Sequence, residues 1–183
     1  MDNNTPLTDI FTSDLVKRAL DFAVKAHATQ KRKYTNEPYV THPIIVAGLV
    51  ASVGGSKYMV AAALLHDVVE DCGVTQATLF AEFGQEVANL VYWLTDYSIG
   101  HPGNRIARKA MDREHIAKAP ADAQTIKLAD LIDNTPSITK YDPDFAKVYM
   151  AEKRALLEGM HYGDPSLYLN AKNLVDTYFQ LNP

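Results

Sequence analysis

Four ionisable side chains fall within six positions at the end of an apolar run. His66, Asp67, Glu70 and Asp71 follow Val60-Ala61-Ala62-Ala63-Leu64-Leu65. On an α-helix His66 and Glu70 are four apart, as are Asp67 and Asp71, while Asp67 and Glu70 are three apart. All four then share one broad stripe. Three carboxylates and an imidazole at that spacing repel one another and lose solvation unless a cation or a substrate compensates them. A solvated face at the end of a buried helix is the competing reading. It gives no cause for such acidic density beside so apolar a run.

Histidine and carboxylate donors from separate helices, with no cysteine among them, suit a divalent metal performing hydrolysis better than a structural zinc. On a continuous helix His66 and Asp67 diverge by about a hundred degrees, so one ion meets both only over their shared edge. His42, at a helix start, and Asp130, in an apolar helix, are the natural suppliers of further ligands. Two nitrogens and two oxygens leave open positions on a six-coordinate ion for water and substrate. Glu70 or Asp71, one turn from the ligands, can orient that water and take its proton.

The elements that must position these groups are read from periodicity and caps. Thr12, Ser13 or Asp14 caps a helix whose apolar residues recur from Leu15 to Ala26, after a loose lead-in over residues 1–12. His27, near that helix end, reads as a packing or capping residue. Residues 29–41 read as a loop; its Lys31-Arg32-Lys33 run suits either solvent or phosphate. Thr41 caps the next helix, with Pro43 in its first turn, and Gly54-Gly55 stops it. Ser56 starts the organising helix, which runs to about Asp71 and stops at Gly73. Thr75 caps a short helix, and Gly84 separates it from one carrying Tyr92 and Trp93, both expected in the core. Asp96 to Asn104 reads as a flexible loop. His101 and His115, in or near the charged helix that follows, are expected to be solvated. Ala121–Asn134 forms a buried helix ended by Pro136, and helices near 144–160 and 165–181 close the chain. No alternating β pattern or internal repeat is present. The fold class is all-α, a single domain of about eight helices over residues 1–183.

A net charge of −4 and a pI near 5.8 argue against a general nucleic-acid binder. The single cysteine, Cys72, excludes an intramolecular disulfide, and Asp67 and Asp71 beside it discourage a thiolate. Met1 to Asp14 holds no apolar signal core, and no uncharged run approaches the ~20 residues of a membrane span. The expectation is a cytoplasmic protein with no membrane partner. Its oligomeric state has no signature in the sequence.

The order His42, His66-Asp67, Asp130 resembles the HD-domain metal phosphohydrolases. Glu37-Pro38-Tyr39-Val40-Thr41-His42-Pro43, Ala62-Ala63-Leu64-Leu65-His66-Asp67-Val68-Val69-Glu70-Asp71 and Lys127-Leu128-Ala129-Asp130 look like the hydrolase domain of Rel/Spo-type alarmone enzymes. The length is similar to that of the small alarmone hydrolases. The resemblance implies an HD-type bundle and manganese-dependent removal of the 3′-pyrophosphate of (p)ppGpp, giving GDP or GTP and pyrophosphate. It implies His42, His66, Asp67 and Asp130 as metal ligands, and Glu70 and Asp71 as the acidic pair on the attacking water. Arg32 and Lys33 match substrate contacts, Asn134 and Tyr149 match positions lining the nucleoside pocket, and Arg105 is a looser match to a phosphate contact. For Asn134 and Tyr149 the bland alternatives are a helix C-cap and helix packing. The chain departs from the family at Leu131, Asp133 and Pro136, beside the expected nucleoside pocket, which brings (p)ppApp in as a second substrate. The competing functions are an HD phosphatase acting on NADPH or a nucleoside monophosphate, and a non-catalytic nucleotide-binding HD module.

Overall fold

The structure, a computed structural model, describes residues 11–183, so most of the expected lead-in lies outside the described residues. Contacts divide the chain into two compact units, the first ending at Thr95 and the second spanning Asp96–Pro183. Among the described residues the secondary structure is helical apart from one isolated antiparallel bridge, Lys31 to Pro38. No helix among them is long and apolar enough to cross a membrane.

The first unit comprises α1 (Asp14–Ala26), α2 (Thr41–Ser52), α3 (Lys57–Leu65), α4 (Val68–Cys72) and α5 (Gln76–Leu94). Helix α3 is its axis. Met59 to Leu65 are all buried, and α1, α2 and α5 pack around them. A helix apolar on every side has to be central, and Ala61, Ala62 and Ala63 let its neighbours approach closely. Ser13, Ser56 and Thr75 accept from the backbone N–H three residues on, capping α1, α3 and α5. Gly84, at φ 83°, ψ 176°, interrupts α5 where a break was expected.

Three expectations for this unit are corrected. Thr41 does not cap α2; Val40 holds that position, and the Thr41 hydroxyl donates to the Pro38 carbonyl at 2.8 Å. Tyr92 lies on the outward side of α5 and is 47% exposed, while Trp93 is half-buried. The organising helix is also not continuous. It breaks at His66-Asp67 into α3 and α4, and the left-handed Gly73 (φ 68°) ends α4.

The second unit comprises α6 (Arg105–Ala117), α7 (Ala121–Tyr141), α8 (Pro143–Leu157) and α9 (Pro165–Leu181). Helix α7 is its core, packed on α8 and α9. The fully buried Gln124 amide closes the end of α6, donating to the Ile116 and Ala119 carbonyls and accepting from Tyr162 N–H at 2.9 Å. Pro136 does not end α7, as expected, but lies inside it. Its ring removes the N–H due to the Ile132 carbonyl. Hydroxyls tie the backbone on either side: Thr135 Oγ1 donates to Leu131 O at 2.7 Å and Thr139 Oγ1 to Thr135 O at 2.9 Å.

Candidate active site

In the first unit the break between α3 and α4 carries the chemistry. His66 Nδ1 lies 2.8 Å from the Ala63 carbonyl, which in an unbroken helix accepts from the Asp67 N–H. His66 stays near helical (φ −60°, ψ −31°), and Asp67 turns off at φ −96°, ψ −7°. The turn removes the expected divergence of the two side chains, and Asp67 Oδ2 comes within 3.2 Å of His66 Nε2. His42, in the first turn of α2, brings its Nε2 to 3.6 Å from the same oxygen. Both rings are essentially buried, with centroids 5.1 Å apart.

One ligand atom from each of His42, His66 and Asp67 lies within 4.8 Å of the others. The donor set fits a divalent cation. A carbonyl only accepts, so His66 Nδ1 carries a proton and Nε2 is the ring nitrogen left to ligate a cation. It lies beside the Asp67 oxygen, so a nitrogen and an anionic oxygen are placed to bind one cation together. The Tyr39 hydroxyl donates to the same Asp67 Oδ2 at 2.6 Å and helps to orient the carboxylate. Tyr39→Phe is therefore expected to weaken divalent-metal affinity about 10-fold with the fold intact, as loss of a ligand-orienting bond does. A metal titration followed by calorimetry reads this directly.

Glu70 and Asp71 stand on α4, one turn beyond the ligands, and both are exposed. Asp71 Oδ2 accepts from Gln30 Nε2 at 2.8 Å, and Gln30 Oε1 accepts from His27 Nδ1 at 2.7 Å. His27 is buried at the end of α1, 3.3 Å from Cys72 Sγ, so it packs and caps as expected. Burial and then Asp71 and Asp67 push the Cys72 thiol above its ordinary range, which keeps it inert. Arg32 and Lys33 sit on a tight loop closed by Arg32 N–H to Glu37 O at 2.9 Å and Asn36 N–H to Arg32 O at 3.0 Å. The Lys33 ammonium lies 4.8 Å over the Tyr34 ring. Gln30 and Tyr39 were not assigned roles from sequence. Tyr39 stood inside a quoted motif, and its place three residues before His42 is the one signal that could have found it.

The remaining candidates belong to the second unit. Asp130 is buried on α7, 2.9 Å from Lys127 Nζ, and Asn134 Nδ2 donates to its Oδ1 at 2.6 Å. Asn134 is thus a partner of Asp130 and not a C-cap. Tyr149 is buried on α8, with its hydroxyl 3.5 Å from Thr135 Oγ1, and burial pushes its phenol well above the ordinary range. Arg105 opens α6, its Nε and Nη2 gripping Glu152 at 2.7 and 2.9 Å and its guanidinium 5.1 Å over the Phe145 ring. The Glu152 hydrogen bond holds that guanidinium firmly charged. His101 is exposed, as expected. His115 is half-buried, and both rings stack on Tyr97, at 5.5 and 5.3 Å.

An all-α fold with two buried histidines meeting a half-buried aspartate beside a helix break defines a class. The chain matches the HD domain family over residues 19–153 and belongs to it. Among its relatives, a probable guanosine-3′,5′-bis(diphosphate) 3′-pyrophosphohydrolase of Synechocystis is 38% identical over 133 residues, covering 71% of this chain and 17% of that protein. The guanosine-3′,5′-bis(diphosphate) 3′-pyrophosphohydrolase MESH1 of Xenopus tropicalis is 34% identical over 133 residues, 71% of this chain and 73% of that one. The chain therefore spans under a fifth of the cyanobacterial relative and about three quarters of the frog protein. A solved structure of a metazoan SpoT ortholog that hydrolyses ppGpp superposes with a TM-score of 0.81 at 27% identity, over 91% of this chain and 96% of that one.

Proposed function

We propose that this protein is a single HD hydrolase domain that removes the 3′-pyrophosphate of an alarmone nucleotide, (p)ppGpp or (p)ppApp, releasing pyrophosphate and the nucleoside 5′-di- or triphosphate. The observation that carries the reading is the convergence of His42 Nε2, His66 Nε2 and Asp67 Oδ2 in the interior of the first unit. The frog and metazoan relatives, matched over most of their length, support the substrate class.

His42, His66 and Asp67 would hold a divalent ion, manganese by the family resemblance, and Asp130 is the proposed fourth ligand on that resemblance alone. When bound, the ion lowers the pKa of water and polarises a phosphoryl oxygen. Glu70 and Asp71 orient the attacking water and take its proton. Arg32 and Lys33 offset charge on the departing pyrophosphate. Asn134 and Tyr149 line the nucleoside pocket. Arg105 meets a phosphate only by exchanging Glu152 for it. A net charge of −4 argues against a nucleic-acid partner, and the reading places the protein in the cytoplasm acting on a free nucleotide.

Purified protein with Mn²⁺ is incubated with ppGpp, pppGpp, ppApp and NADPH, and the products are separated by chromatography. Pyrophosphate release from an alarmone is expected. Orthophosphate release from NADPH or a monophosphate would instead make it an HD phosphatase, and binding without turnover would make it a non-catalytic module.

A further inference from the structure

The second unit holds a cavity that the hydrolytic chemistry does not use. It measures about 540 Å³ and lies between the second half of α7, the start of α8 and α9 from Asn170 onward. Sites that take small molecules span about 300 to 1,000 Å³. On α7 its wall is Thr135, Pro136 and Thr139. Asp130 and Asn134, four apart, share another stripe, from which Thr135 and Thr139 are turned by about a hundred degrees. The cavity therefore opens on a different side of α7 from the Asp130–Asn134 pair. None of its twelve lining residues is acidic, although the chain is net negative, and one, Lys147, is cationic. Lys147 Nζ lies 3.3 Å from Asp144, but both side chains are largely exposed, and such a pair contributes little and exchanges readily. Asn170, Asn173 and Thr177 fall at i, i+3 and i+7 of α9 and line the cavity together. Their side chains form no hydrogen bond among the described residues. Asparagine and threonine are weak helix formers, so this stripe lowers local stability with no bond inside the chain in return. A local rule broken without such compensation is expected where a surface has a function.

We infer that this cavity binds a nucleoside 5′-phosphate at a site separate from the hydrolytic centre. Pro136, Pro143, Leu174 and Tyr178 supply the apolar surface on which a flat nucleobase packs. The edge of a base carries adjacent donors and acceptors, which the carboxamides of Asn170 and Asn173 match in kind. Thr139 Oγ1 already donates to the Thr135 carbonyl at 2.9 Å, so it has only acceptor capacity left, and a ribose hydroxyl is the donor it suits. The phosphate takes Lys147, the one cation. A neutral sugar or a bare phosphate uses only part of this set. The inference holds whether or not the domain hydrolyses an alarmone.

The test titrates isotope-labelled protein with AMP and with GMP in EDTA. NMR reads the carboxamide signals of Asn170 and Asn173, and calorimetry reads affinity. At least one nucleotide is expected to shift those signals and to bind with a Kd below about 1 mM. Its nucleoside and inorganic phosphate are each expected to bind about fivefold more weakly or worse. The double variant Asn170→Leu/Asn173→Leu is expected to weaken the nucleotide about 10-fold or more. Leucine is the better helix former, so this variant should melt no lower than wild type. Lys147→Ala should weaken the nucleotide about fivefold and leave the nucleoside unchanged. Lys172→Ala, exposed on α9 and outside the cavity, matches wild type. Absence of saturable binding, carboxamide signals unmoved at saturation, or equal affinity in the double variant overturns the inference. So does inorganic phosphate binding as tightly as the nucleotide. Should the double variant fail to fold, K147A decides, and equal nucleotide affinity there overturns the inference.

Discussion

Replacing Asp67 with alanine is expected to lower turnover by about three orders of magnitude or more, and to remove the divalent ion with it. Asp67 Oδ2 is the point on which the first unit's site converges, 3.2 Å from His66 Nε2 and 3.6 Å from His42 Nε2. Alanine leaves two imidazole nitrogens and no carboxylate among the three donors, and a hard divalent cation such as manganese prefers oxygen donors and needs their charge. The fold should survive. Asp67 is only half-buried, and the partner left without its acceptor is the Tyr39 hydroxyl, a loss of about 1 kcal/mol. Metal content by mass spectrometry, with melting scanned with and without Mn²⁺, checks this. Wild type should melt higher with the ion, because a ligand bound only to the native state stabilises it, and Asp67→Ala should not respond. A variant that keeps the metal-dependent shift would remove Asp67 from the ligand set.

What could be read in advance divides along physical lines. Ser56 and Thr75 were legible as caps because a cap is a local bargain between one hydroxyl and a backbone N–H three residues away. The central position of α3 followed from its lack of any polar face. The break at His66-Asp67 was not legible, because it is marked by an imidazole bonded to a backbone carbonyl, and helical periodicity carries no trace of that. Pro136 misled for the opposite reason. The rule that proline ends a helix is local, and here packing on α8 and α9 with flanking threonine hydroxyls overrides it. His42, His66 and Asp67, singled out by residue type and spacing, are brought together by the fold. Tyr39, Gln30 and the Arg105–Glu152 pair escaped because they act across 28, 41 and 47 residues of sequence, where no periodicity reaches.

Glu70→Gln separates holding the ion from working on water. Glutamine keeps the size of the side chain and can still accept and donate hydrogen bonds, but it cannot take a proton at neutral pH. Turnover is expected to fall about 10²- to 10⁴-fold, the range of a general base, with metal content and KM close to wild type. Asp71→Asn is expected to cost less. The Asp71 carboxylate already accepts from Gln30, which is anchored by His27, so part of its role is to hold α4 against the end of α1. An asparagine oxygen can still accept that bond. Glu70 and Asp71 sit side by side on a five-residue helix, so their effects should not add. The double variant should be little worse than Glu70→Gln alone if Glu70 takes the proton, and little worse than Asp71→Asn alone if Asp71 does. A Glu70→Gln enzyme within about threefold of wild type, with metal bound, transfers the proton to Asp71. Were both single variants to remain that active, neither carboxylate would be the base, and the acidic density at the end of the apolar helix would belong to metal electrostatics alone.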